Sequence, residues 1–142
     1  MARIGRFKSD EAREAYLRTY DAMAELWPAP AVLADVPTSF GSTHVRRFGS
    51  GGGVPLVLLA GVLGSSLHWH SVVEDLARDR TVYALDTIGA AGRSVQTAPL
   101  TRDADYGTWF AEVLDGLGLD RAHVLGGVVG RLARDAGGPA RG

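Results

Sequence analysis

The sequence contains no cysteine in its 142 residues. Disulfide staples, thiolate nucleophiles and zinc sites built on sulfur are therefore excluded. Histidine is scarce: His44, His68, His70 and His123 are the full set, and they form no metal-ligand motif. His68 and His70 are two apart, which on a helix points them to different sides, so no metal is expected. An excess of either charge is also lacking. Fifteen basic and sixteen acidic residues leave a net charge of −1, with arginines near acids, as Arg102 is near Asp103 and Asp105. That gives no electrostatic case for nucleic acid or an anionic membrane. The longest strongly apolar run, Val54 to Leu63, is interrupted by Pro55 and Gly61 and has the length of a buried strand, not of a membrane span. Met1 to Lys8 is basic but has no apolar run behind it, as a signal peptide would. The expected location is the cytoplasm.

What is present is the length and patterning of one domain. Ser9 is placed to cap a helix running to about Trp27, with Asp10 and Glu11 in its first turn. Ala12, Tyr16, Tyr20, Met23, Ala24 and Trp27 recur at spacings of three and four and predict one apolar face; Pro28 and Pro30 end it. Thr38 to Phe48 reads as extended structure with Gly41 as a turn, and Gly49 to Gly53 as a flexible connection. From residue 54 the pattern sharpens. Val54–Leu59 is a continuous apolar run, as in a strand covered on both faces. Ser65 or Ser66 caps a predicted helix through about Ala77, packed through Leu67, Val72, Val73 and Leu76. Thr81–Leu85 is the next strand and ends on Asp86. A helix over about Asp103 to Leu117 carries a stripe of Tyr106, Phe110, Val113, Leu114 and Leu117, and Ala122–Leu125 is a further strand. Strand, helix, strand, helix, strand predicts an α/β fold: a mostly parallel sheet with helices on both faces, connected by right-handed crossovers, with an N-terminal helix and an edge hairpin.

In such a sheet, chemistry gathers beyond the carboxyl ends of the strands. Three turns fall there: Ala60 to Gly64, Asp86 to Ser94, and Gly126 to Gly130. The run Val57-Leu58-Leu59-Ala60-Gly61-Val62-Leu63-Gly64-Ser65-Ser66, followed by Trp69, resembles the strand and oxyanion-hole turn of α/β-hydrolases. Tyr83 to Ser94 is similar to that family's next strand and its Asp-x-x-Gly-x-x-Gly-x-Ser loop, and Leu117 to Gly126 resembles the approach to its nucleophile elbow. The resemblance spans about residues 36 to 130. It divides the chain into a helical extension (1–30), a family-like core (36–130) and an atypical tail (131–142), all in a single partial domain.

The resemblance implies an incomplete α/β-hydrolase fold, in whose strand order the 54–59 strand lies between the other two, related to serine hydrolases, that is, carboxylesterase-like enzymes acting on small esters or related carbonyl compounds without a cofactor. In that family a serine on a strained turn attacks a carbonyl, a histidine accepts its proton, an acid orients the histidine, and two backbone N–H groups hold the oxyanion. On this chain the oxyanion donors would be the N–H groups of Val62 and Val129. The nucleophile position holds Val128, which has no atom that can attack. The family's acid and histidine follow the elbow; here Asp135 is the one acid after Gly130, and no histidine follows. Whether the chain is an enzyme thus stays open: a truncated member, a shifted reading frame near Val128 and a genuine pseudoenzyme all fit. Ser65, Ser66 and Ser94, with His68, His70 and Asp86 near them, are the material for a different triad. The simpler expectation is that the first two serines are helix caps, Ser94 a loop residue, the histidines half-exposed helix residues and Asp86 a loop tether. Two further readings remain. Gly61-x-x-Gly64 followed by Asp86 mimics a nucleotide-binding βαβ unit, though without G-x-G-x-x-G spacing. A non-catalytic interaction protein would use the N-terminal helix or an open sheet edge, through which self-association is also expected.

Overall fold

The computed structural model describes residues 9–28, 31–59, 65–88 and 92–126. Helix α1 (Asp10–Ala24) starts as expected, with the Ser9 hydroxyl accepting the Ala12 N–H at 3.1 Å. It stops short of Trp27, which follows in a turn. The apolar face is narrower than the spacing predicts. Tyr16, Tyr20, Ala24 and Trp27 pack on the sheet, whereas Ala12 and Met23 are exposed. One row of residues at spacings of three and four is all that a helix lying across a flat sheet can bury.

Strands β1 (Val32–Thr38) and β2 (Gly41–Gly52) form an antiparallel hairpin. It begins ahead of residue 36, and its turn is Ser39-Phe40, with Gly41 already in the second strand. Gly49 to Gly52 is not a connection: β2 runs through it, with a register shift between Phe48 and Gly52. The glycines let this strand end lie against the backbone before the fourth strand. A Cβ on Gly51 would meet the Asp79 carbonyl carbon at 2.2 Å, a contact no side chain tolerates.

Strand β3 (Leu56–Leu59) is followed by a 3₁₀ turn (Ser66–Trp69), the short helix α2 (Val73–Leu76), strand β4 (Arg80–Leu85), the two-residue β5 (Val95–Gln96), helix α3 (Asp103–Gly116) and strand β6 (His123–Gly126). The single helix expected from Ser65 or Ser66 to Ala77 is thus broken in two, and Val72 at the break has non-helical φ −123° and ψ −8°. Leu67 and Val73 are both fully buried in the same cluster. Six residues apart on one continuous helix they would point about 120° away from each other, so the break is what brings both inward.

The sheet order is β1-β2-β4-β3-β6, with β5 paired to β2. Strand β3 is parallel to both β4 and β6, as the alternation of strands and helices predicts, and lies between them, as the family resemblance implies. The antiparallel ladders all involve β2, so the sheet is mixed: a parallel core extended by the hairpin. Alternate residues of β3 enter opposite clusters. Leu56 and Leu58 meet Tyr20, Trp27, Leu67 and Val73 on one face; Val57 and Leu59 meet Trp109, Phe110, Val113 and Leu114 of α3 on the other. Period-two alternation in a doubly covered strand explains why β3 reads as one unbroken apolar run.

Candidate functional site

The ends of β3 and β4 meet at Asp86, the first residue after β4. It is fully buried, a costly place for a carboxylate unless donors surround it. Three segments supply them. The Tyr20 hydroxyl on α1 donates to Oδ2 at 2.6 Å. The Ser66 N–H, opening the 3₁₀ turn, donates to Oδ1 at 2.7 Å, and the Arg93 N–H donates to Oδ2 at 2.8 Å. The expected loop tether is therefore wider than its own loop. It joins the chain emerging from residues 60–64, the chain emerging from 89–91, and the N-terminal helix. Burial pushes the Tyr20 phenol up to about 12, and the Asp86 charge adds to the shift; Tyr16 is raised for the same two reasons.

Glycine at position 92 follows from this geometry. Its φ is +131°, and a Cβ there would sit 2.4 Å from the Asp86 carboxyl carbon, so only glycine allows the loop to close over the carboxylate. Around the same point, the guanidinium groups of Arg46 and Arg93 lie over the Tyr20 ring at 5.3 and 5.5 Å. Arg93 also grips Asp21 of α1 with both carboxylate oxygens.

The serines near the strand ends are all engaged structurally. The Ser65 hydroxyl accepts the Leu67 N–H at 3.3 Å as a cap, and His68 Nδ1 accepts the Ser65 N–H at 3.1 Å. The Ser66 hydroxyl is buried beside the Tyr20 hydroxyl. The Ser94 hydroxyl donates to the Asp86 carbonyl oxygen and accepts the His44 N–H. His68 is exposed and His70 half-buried. The bonds of these three serine hydroxyls run to backbone groups and to the Tyr20 hydroxyl, not to a histidine or a carboxylate side chain. Sequence reasoning missed one histidine–carboxylate pair: His44 Nδ1 is 2.8 Å from Asp35 Oδ1 across the β1–β2 hairpin. Its buried Nε2 meets no hydroxyl, and the ring stands edge-on to Tyr20. A cross-strand pair of this kind becomes legible only once the hairpin register is known.

Asp86 is equally unsuited to a nucleotide. Its two carboxylate oxygens already hold three donors in a site closed to solvent, which leaves nothing for a ribose hydroxyl. No group of histidine, aspartate and glutamate among the described residues is arranged to hold a metal ion, and no helix among them is long and apolar enough to cross a membrane. The residues assigned by resemblance to the oxyanion hole and the nucleophile position, Val62, Val129 and Val128, lie outside the described residues, as does the tail 131–142. The strands on which those turns are mounted are described. β3 ends at Leu59, which pairs with Leu85 of β4 on one side and Gly126 of β6 on the other, so all three point their carboxyl ends the same way.

Comparison with known proteins agrees with this arrangement. The family model for the alpha/beta hydrolase fold matches residues 54–130. An uncharacterized carboxylesterase, nap, of Bacillus subtilis is 35% identical over 117 residues, 82% of this chain and 39% of that protein. Carboxylesterase YbfK of the same organism is 33% identical over 120 residues, 84% of this chain and 40% of that one. Among solved structures, the B. subtilis naproxen esterase superposes with a TM-score of 0.80 at 34% identity, covering 88% of this chain and 44% of its own. The B. subtilis carboxylesterase CesB (YbfK) gives 0.87 at 31% identity, with 92% and 47% covered. The chain thus spans less than half the length of these relatives.

Proposed function

Because the chain belongs to the alpha/beta hydrolase fold family, we propose that it carries the oxyanion-hole side of a carboxylesterase-like site, able to receive a small carboxylic ester but not to attack it. The observation that carries this reading is the parallel trio β4-β3-β6, each strand followed in sequence by a glycine-bearing segment. The relatives named as carboxylesterases point to an ester as the ligand class. The N–H groups of Val62 and Val129 would face the carbonyl oxygen, and each such donor is worth about 2.7–4 kcal/mol of barrier in a working enzyme. Val128 stands where attack would begin, and an isopropyl group supplies neither a nucleophile nor a proton. In this reading residues 1–142 form one domain, with 1–30 as a helical extension, 36–130 as the core and 131–142 as a tail, and no cofactor takes part.

Titration with ethyl butyrate, followed residue by residue by NMR, tests the reading. Shifts confined to residues 60–66, 86–94 and 126–130 are expected, and NAD and NADP should cause none. Ester-induced shifts elsewhere on the molecule, or saturable binding of either dinucleotide, would contradict it.

A further inference from the structure

Two neighbouring residues of α1 reach the same loop. Asp21 holds the Arg93 side chain through a bidentate pair, and Tyr20 reaches the Arg93 backbone through Asp86. The same carboxylate holds the Ser66 N–H. Ser66 opens the 3₁₀ turn that follows β3 in sequence, and Arg93 stands two residues before β5. The exposed Asp21 pair contributes little by itself, whereas the Tyr20 hydroxyl bond is buried, charge-assisted and short. The Tyr20 ring is further fixed by the two guanidinium groups over it.

We infer that α1 is a clamp on the site, in which Tyr20 is a positioning residue that orients the Asp86 carboxylate and, through it, sets Ser66 and Arg93 in place. This rests on the reading of Val62 as an oxyanion donor, because Ser66 anchors the chain that leaves that turn. Oδ2 is shared by the phenol and the Arg93 N–H, so the hydroxyl fixes the carboxylate rotamer from which both backbone bonds are made. Without it Oδ1 keeps the Ser66 N–H and Oδ2 the Arg93 N–H, but the carboxylate loses the short side-chain donor that holds its rotamer.

Single-amide hydrogen exchange by mass spectrometry on the full chain tests this. In the unaltered protein the Ser66 and Arg93 amides, both bonded to Asp86, should exchange slowly; fast exchange at either overturns the clamp. Tyr20→Phe should speed both by about tenfold or more, the scale of one lost hydrogen bond to a charged group. The Leu58 and Ala84 amides in the strands should stay unchanged, and Asp21→Asn should have little effect at any of these positions. Asp86→Asn should act as Tyr20→Phe does. A uniform rise at all four amides would show a merely structural tyrosine, and no change at Ser66 and Arg93 would remove the inference outright. Neither result bears on ester binding, which the NMR titration reads separately.

Discussion

Asp86 concentrates the residue-scale chemistry. Its identity as the acid of a loop motif is legible in the sequence, and so is the glycine six positions on. Its third donor is not. Tyr20 reads as one of six apolar positions on a helical face, because periodicity records that a ring is buried and not where a hydroxyl points. Two predictions belong here. Tyr20→Phe should destabilise the fold by about 1.5–3 kcal/mol, measured by urea unfolding at pH 7. The Tyr20 pKa is raised to about 12 in the folded protein against about 10 unfolded, so its contribution is complete below pH 10 and is lost as pH rises toward 12. Wild-type unfolding free energy should therefore fall across that window, and Tyr20→Phe should flatten the fall, leaving the part due to Tyr16. An identical alkaline slope in the variant would contradict the assignment. Gly92→Ala should cost more than Tyr20→Phe at neutral pH, since it combines positive φ with a collision at the carboxylate; the same urea titration decides it.

Among the elements, the legible ones are those whose apolar pattern has one period throughout. β3 and α3 fall where a continuous run and a helical stripe place them, with α3 ending at Gly116. The segment 66–77 was not legible, because its serine cap and apolar spacing satisfy a helix locally and only the shared burial of Leu67 and Val73 demands the break. The β2 end escapes the sequence because a glycine run suits both a loop and a strand pressed against a neighbouring backbone. The stripe on α3 also omitted its most informative member. Trp109 is fully buried, and its indole N–H donates to Thr43 Oγ1 on β2 at 2.7 Å, fixing α3 over the hairpin. Trp109→Ala should cost about 3–5 kcal/mol, far more than Thr43→Val, which removes the one hydrogen bond; thermal unfolding of the two variants makes the comparison.

At the scale of the whole molecule, the described sheet is closed unevenly. β6 pairs with β3 on one side, and among the described residues no strand lies on its other side. Leu125 is 44% exposed there. An apolar strand with unpaired N–H and C=O groups templates pairing with another chain. The 142-residue chain is therefore expected to self-associate at micromolar concentration, and Leu125→Lys should shift it toward monomer; sedimentation velocity on both reads the outcome, and a monomeric wild type would contradict the open-edge reading. The proposed reading, an α/β-hydrolase scaffold with valine at the position of attack, is tested most directly by p-nitrophenyl butyrate hydrolysis. The purified 142-residue chain should release p-nitrophenol no faster than a buffer-matched control protein, and Val128→Ser should not restore turnover, because no histidine follows the elbow in these residues. Hydrolysis that survives purification and is abolished by Ser65→Ala or Ser94→Ala would contradict the account.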